Sequence, residues 1–267
     1  MSFSNPLYTI RHYLASSVDD LLAGVCGTTG ATTTKIYAPF LWQPNDYYNN
    51  NYYEVYVYLG TNIGVTKRAT DWVLGDFLLT VHSAYSAACD ATSYIELHHI
   101  FTTDEYNKAI NLAIESIADN YLIDKIDETV TLVADTYEYT VPSGIDRIHR
   151  IITEDTADTG DYYESNEIDP RDWSLISPRT LKLRYGYYGI TAGKDLRIEG
   201  QGRQDTVSEN TDVIYLPPDW LVQKAITFLP QNKIQSNNLS DTYKVALALS
   251  SKEPRRWANP RSQKVID

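Results

Sequence analysis

The side chains in this chain that could do chemistry are five histidines, two cysteines and a surplus of carboxylates. The histidines are His12, His82, His98, His99 and His149. Only His98 and His99 are neighbours, and successive strand residues point to opposite faces, so that pair does not converge on a metal ion. His149 sits mid-strand in Arg147-Ile-His-Arg150 and reads as a surface residue. Cys26 and Cys89 lack zinc or redox spacing and read as small buried residues. Asp155-Thr-Ala-Asp-Thr-Gly-Asp161, with Glu167 beyond it, matches a calcium loop only in part. Glu154-Asp155 and the acids from Asp158 to Asp161 read as a solvated loop. Gly27-Thr-Thr-Gly-Ala-Thr-Thr-Thr-Lys35 has the glycines and hydroxyls of a phosphate loop. It lacks the Gly-Lys-Ser/Thr ending and leads into strand, so no helix N-terminus is there to hold a phosphate. Gly200-Gln-Gly202 lacks the rest of a dinucleotide fingerprint, and no Gly-x-Ser-x-Gly elbow occurs. The expectation is a chain that is not an enzyme and holds no metal and no cofactor. A hydrolase built from scattered carboxylates is the weakest alternative.

Two clusters suggest binding rather than reaction. The tail carries Arg255, Arg256, Trp257, Arg261 and Lys264. Arg and Trp are typical interface anchors, and a basic arm leaving an acidic body suits an acidic neighbour. The run from Tyr47 to Tyr58 is rich in Tyr and Asn. It could stack sugars or bases, but no basic residue is interleaved with it, which disfavours nucleic acid. A Tyr-rich barrel wall accounts for it more simply.

The elements that would position these residues follow from periodicity. Asn5-Pro6 reads as a helix start, and Leu7, Ile10, Leu14, Val18, Leu21 and Leu22 form one apolar stripe over about five turns. From Lys35 to His99 the rhythm is period two. Tyr52–Tyr58, Phe77–Val81 and Tyr94–His98 are the strand candidates. Thr102-Thr-Asp-Glu105 is a capping box. It opens a helix over Asp104 to Tyr121 with Ala109, Ile110, Ala113, Ile114 and Ile117 on one face. Thr129 to Ile152 alternates, turns at Ala134-Asp135 and breaks at Pro142-Ser-Gly144. Trp173, Leu181–Tyr185 and Asp195–Glu199 are later strands. Leu216-Pro-Pro-Asp-Trp220 opens another helix, which Pro230 ends or kinks, and Leu239 to Leu249 resumes helically. The predicted class is α+β: a helical bundle of N-terminal, central and C-terminal helices carrying two antiparallel β-modules. The helical core is 5–24, 102–124 and 217–252. The inserted β-module is 31–99, the β-meander or sandwich 128–216, and the extended C-terminal arm 253–267.

A chain of 267 residues with 43% hydrophobic and 22% charged residues can bury a real core, so disorder is not expected over most of it. The net charge of −12 opposes wrapping by nucleic acid. No apolar run approaches the ~20 residues of a membrane span. Met1-Ser-Phe-Ser-Asn-Pro6 lacks the basic and apolar regions of a signal peptide, which points to a reducing cytoplasm. There are 22 Tyr against 5 Phe, which favours half-buried sheet faces and protein interfaces.

The helix Asp104 to Tyr121, with Ala-Ile-Asn-Leu-Ala-Ile at 109–114, is followed by Thr129-Val-Thr-Leu-Val133, Tyr137-Glu-Tyr-Thr-Val-Pro-Ser-Gly-Ile145 and Ile148-His-Arg-Ile-Ile152. With Leu216-Pro-Pro-Asp-Trp-Leu-Val222 and Ala225-Ile-Thr-Phe-Leu229, this order resembles the head–tail adaptor (connector, or neck) proteins of tailed bacteriophages. The resemblance covers residues 100–250, and the 31–99 module is outside it. It implies a virion structural protein of the neck, made in the host cytoplasm. Copies would form a homo-oligomeric ring, expected to be a dodecamer. The ring's partners would be the portal protein on one side and a tail or second neck protein on the other. Genomic DNA would pass through an acidic lumen without specific binding, and the C-terminal arm would reach the portal or a neighbour. A β-rich tail protein binding a receptor or glycan, suggested by residues 45–58, is the alternative.

Overall fold

The structure is a computed structural model that describes residues 3–117, 120–176, 179–184, 191–257 and 263–265. In chain order the elements begin with β1 (Asn5–Pro6), α1 (Leu7–Ser17), β2 (Leu22–Val25), β3 (Lys35–Tyr37) and α2 (Tyr47–Asn50). β4 (Glu54–Leu59), β5 (Thr66–Val73), β6 (Leu78–Val81), β7 (Tyr94–His98) and α3 (Thr103–Ile117) follow. Then come β8 (Ile123–Thr131), β9 (Glu138–Thr140), β10 (Arg147–Thr153), β11 (Trp173–Ile176), β12 (Thr180–Leu183) and β13 (Asp195–Gly202). The last are β14 (Val213–Ile214), α4 (Pro218–Ile226), α5 (Gln231–Ser236), α6 (Ser240–Ser250) and β15 (Gln263–Lys264). The chain divides into two compact units. One comprises Met1–Ser116 with Thr206–Glu253, and the other Ile117–Asp205 with Pro254–Asp267.

The predicted helical bundle is not what forms. Among the described residues the chain is β-rich, with fifteen strands in four sheets against six helices, 30% strand against 24% helix. The reason lies in the helix ends. The N-terminal stripe stops at Ser17, because Asp19 turns left-handed (φ 55°) and the amide of Asp20 donates back to the Ala15 carbonyl at 2.9 Å. Leu22 therefore falls in β2 instead of extending α1. Asn5-Pro6 pairs with β14 as a short strand rather than starting the helix. The C-terminal apolar run is cut into three short helices by Pro230 and by Asn238 at φ 59°.

In the first unit β2, β7, β4, β5, β6 and β3 form one six-stranded antiparallel sheet, in that order, curled into a half-barrel. A single bridge between Gly27 and Tyr37 joins the segment after β2 to the opposite edge. The glycine–threonine loop thus leads into strand, as its sequence suggested. Trp72, Val55, Val57, Leu79, Ile95 and Leu97 fill one side of this sheet. Each is a side chain whose burial contributes about 1.5–3 kcal/mol. α3 begins with the expected capping box. The Thr102 amide donates to Glu105 Oε2 at 2.8 Å, and the Glu105 amide donates to Thr102 Oγ1 at 3.2 Å.

The second unit pairs a four-stranded sheet (β15-β10-β13-β8) with a three-stranded one (β11-β12-β9). Ile148, Ile151, Ile198, Leu181, Leu183 and Trp173 form its core. Gly200 and Gly202 are there for packing. A Cβ would stand 2.2 Å from the Arg147 carbonyl oxygen at the first, and 2.0 Å from the Gly144 carbonyl oxygen at the second. Tyr185, expected at the end of β12, lies outside the described residues.

Candidate functional site

Strand β7 supplies the groups that sequence periodicity misplaces. In Tyr94-Ile-Glu-Leu-His98 the alternation puts Ile95 and Leu97 on one face and Glu96 and His98 on the other. Both faces are buried in the first unit. Ile95 and Leu97 enter the apolar core, while Glu96 and His98 meet α1 and α3.

Glu96 is the centre of a charged network. Arg11 Nε donates to Glu96 Oε1 at 2.5 Å, and both side chains are fully buried. The Arg11 guanidinium also donates to Asn107 Oδ1 and Asn210 Oδ1, each at 2.9 Å, and lies 4.9 Å from the Tyr56 ring centroid. His12 Nε2 stands 2.7 Å from Glu96 Oε2, and His98 Nε2 3.4 Å from Oε1. Burial pushes the Glu96 carboxyl upward. Its bonds to His12 and His98 and the charges of Arg11 and His98 outweigh that and hold it well below the usual carboxylate range. His98 is the reciprocal case: burial lowers its pKa, but Glu96 and the Asp20 carbonyl raise it further.

Asp20 is the second anchor. Its carboxylate accepts from the amides of His99 (2.7 Å), Ile100 (3.0 Å) and Phe101 (2.9 Å) and from the Tyr106 hydroxyl (2.8 Å). Burial raises this carboxyl too, but the bonds from His99, Phe101 and Ile100 leave it lowered. His98 and His99 do converge on one residue. The first hydrogen-bonds the Asp20 carbonyl through Nδ1 at 2.6 Å, and the second sits 2.8 Å from its carboxylate. They meet there through an acid–base pair and a backbone oxygen. Arg11 and Asp20 are hydrogen-bonded on all sides, whereas Glu96 Oε2, His12 Nε2 and His98 Nε2 are held by charge contact without a formed hydrogen bond. That fits fastening α1, β7 and α3 together better than turning over a substrate.

Next to this network a cleft of about 450 Å³ opens between β4, β5 and the segment leading into α3. Tyr52, Glu54, Arg68, His82, His98 and His99 are on its wall. Tyr56, from the same Tyr-rich run, is elsewhere: it is buried, and its hydroxyl accepts from Asn210.

The helical side of the first unit is different in kind. α6 buries only Ala246 and Ser250, while Val245, Leu247 and Leu249 are 56%, 52% and 59% exposed. Beside it is an apolar hollow of about 500 Å³, lined by Tyr13, Pro218, Trp220, Val222 and Leu249.

The tail residues fall in the second unit. Trp257 is 78% exposed, and the Arg255 guanidinium sits 5.9 Å from its ring centroid. Arg256 is occupied: its amide donates to the Asn120 carbonyl at 3.0 Å and its guanidinium pairs with Asp124 at 2.5 Å. Lys264 is in β15, opposite Arg147, with Val265 buried beyond it. Arg261 lies outside the described residues. His149 is half-buried at a β-bulge of β10 rather than on the open surface.

Arg11, Asp20 and Glu96 are the residues that sequence reasoning missed. Arg11 had a signal, since Leu7, Ile10, Arg11 and Leu14 follow the apolar spacing of α1 and a charge in that position must be buried and paired. Among the described residues no cluster of His, Cys, Asp and Glu could hold a metal ion, and no helix is long and apolar enough to cross a membrane. Comparison with protein-family models and with curated proteins gives no match.

Proposed function

We propose that the chain is a structural subunit of a tailed-phage neck, a head–tail adaptor that assembles into a ring between portal and tail. The observation that carries this reading is α6. A helix bearing apolar residues around most of its circumference is normally enclosed, yet α6 leaves Val245, Leu247 and Leu249 in solvent. Exposed apolar surface of this kind marks protein–protein contact. A ring subunit needs two different complementary surfaces, because a head-to-tail contact closes on itself only when repeated around an axis. The exposed helix face and the separately exposed Trp257 are the two candidates for such surfaces. The net charge of −12 suits a lumen through which DNA slides without sticking.

The test is native mass spectrometry and electron microscopy of the purified chain, alone and with a portal. The expected result is a closed ring, formed alone or on the portal. The Val245→Asp and Leu249→Asp variants should stay folded, because both positions are exposed, but fail to assemble. A chain that stays monomeric and ignores the portal, or that is found in the virion anywhere but the neck, overturns the reading. A second reading, a tail protein binding a receptor or glycan, draws on Tyr52, which is 73% exposed on the cleft wall. Glycan arrays with the Tyr52→Ala variant test it.

A further inference from the structure

The cleft beside β5 has features that a ring subunit does not need. Arg68 lies on its wall, exposed to solvent, and its guanidinium makes no hydrogen bond or ion pair among the described residues. Its cross-strand partner is Glu54, which would ordinarily neutralise it. Glu54 Oε1 instead accepts from the Thr103 amide at 2.8 Å. His82 is positioned by the Arg68 backbone on both sides. Its amide donates to the Arg68 carbonyl at 3.0 Å, and its Nδ1 accepts from the Arg68 amide at 3.1 Å. Because Nδ1 is an acceptor, the proton of the neutral ring is on Nε2, which becomes a donor next to Ser83 Oγ at 3.2 Å. Tyr52 completes the wall. It is held at φ 58°, a left-handed conformation that a bulky residue rarely adopts, and its ring is exposed. Strain of this type collects at binding sites.

The other charged groups facing the cleft are committed. Lys67 Nζ donates to Ser83 Oγ at 2.8 Å and lies over the Tyr85 ring. His99 is paired with Asp20, and His98 with Glu96. Glu54 is the one acid on the wall. In a chain of net charge −12 this is a local excess of donors over acceptors.

We propose that this cleft binds an oxyanion, a phosphate or carboxylate group. The Arg68 fork would hold it in two-pronged fashion, His82 Nε2–H would exchange its bond to Ser83 Oγ for one to the oxyanion, and Tyr52 would be a flat wall for whatever carries the group. Planar guanidinium geometry matches both oxyanions. Two exposed donor groups imply a dissociation constant on the order of millimolar. The inference is independent of ring assembly and can fail without touching it.

The experiment titrates the full chain at constant ionic strength with inorganic phosphate and, separately, with acetate, following the histidine ring signals by NMR. The His82 signal is assigned through His82→Gln. Saturable movement of that signal by phosphate, acetate or both is expected. Phosphate alone would assign a phosphoryl ligand, and acetate alone an acidic side chain or sugar. Arg68→Ala should weaken binding at least tenfold with an unchanged melting curve, since Arg68 is exposed, and Arg68→Lys should fall between. Arg184→Ala, in the second unit, should leave binding unaltered. No saturable shift with either anion, or equal affinity in Arg68→Ala, overturns the proposal.

Discussion

In the first unit the fully buried Glu96 is surrounded by Arg11, His12 and His98. In the second, among the described residues, Ile148, Ile151, Ile198, Leu181 and Leu196 are fully buried and Glu154 is the one buried residue that carries a charge. The second unit's buried acid, Glu154, sits at a loop margin, where it accepts from the Gly160 and Asp195 amides. The contrast separates two ways of fixing a fold. A hydrocarbon core gains free energy in proportion to area and tolerates rearrangement. A buried ionic core gains little net energy, but removal of any one member leaves a charge without a partner. The first unit carries both kinds of core, and its ionic part is the one whose geometry is specified residue by residue.

The largest expected effect tests that directly. Glu96→Gln should destabilise the first unit by about 3–5 kcal/mol, because Arg11 stays buried with its compensating charge removed. The combined Arg11→Met and Glu96→Leu variant should cost less than Glu96→Gln alone. Chemical denaturation followed by fluorescence measures both. A double variant as damaged as the single one would mean that the network is worth its bonds rather than its charge balance. Ile198→Ala in the second unit should cost about 2–5 kcal/mol by leaving a cavity. Unlike the Glu96 effect, that loss should be the same at every pH where the protein folds.

Acidity sharpens the same comparison. Glu96 and Asp20 are held below their ordinary values, so the stability they contribute is complete above the unfolded carboxylate range of about 4 and is lost as pH falls below it. His98 is held above its ordinary value. Its contribution is complete below about 6.5 and is lost as pH rises through the folded value. The first unit should thus be most stable between pH ~4.5 and ~6.5. The Cys26–Cys89 pair also titrates on the alkaline side, the bond between the two thiols holding Cys89 down and pushing Cys26 up, with opposite effects on stability. The alkaline limb is best read in a Cys89→Ser background. The second unit shares the acid limb through Asp124, whose bonds to Gln201 and Arg256 outweigh its burial. Among the described residues it has no fully buried histidine, and the alkaline limb near neutral pH is expected from the first unit. Thermal melts across pH, with His98→Gln as reference, check this. An alkaline limb that survives His98→Gln would assign it elsewhere.

Local signals in the sequence were reliable where local physics decides. The Thr102–Glu105 box forms as written, Asp135 makes its turn at φ 57°, and β6 and β7 lie where alternation put them, while β4 starts at Glu54, two residues late, because Tyr52 is in a left-handed turn. The class was misread because helix length is set by tertiary context. The Leu21-Leu22 continuation of the first stripe is equally good strand, and pairing of Leu22 with Leu97 decides between them. The network was illegible for a related reason. Alternation in β7 shows which residues share a face, but only the docking of α1 and α3 makes the polar face an inside one. The anchor Asp20, in turn, looks like any acidic residue after a helix until His99, Ile100 and Phe101 come round to it, some eighty residues later.

The smallest expected effect concerns backbone strain, where the two regions of interest in the first unit part company. Asp19 and Tyr52 both follow a helical turn in left-handed conformation, at φ 55° and 58°. Asp tolerates it, but for Tyr it costs about 1–2 kcal/mol, and glycine is the usual solution at the residue after a helix. The amide of Tyr53 donates to the Tyr48 carbonyl at 3.0 Å, so the turn itself only needs a residue with φ above zero. Tyr52→Gly should therefore raise stability by about 0.5–1 kcal/mol, the relief of strain being partly offset by glycine's greater freedom in the unfolded chain. The same change should weaken any oxyanion ligand that carries a flat group, while leaving inorganic phosphate unaffected. If Tyr52→Gly instead destabilises the protein, the ring is supporting the Tyr-rich core, and the strain has a structural rather than a binding origin.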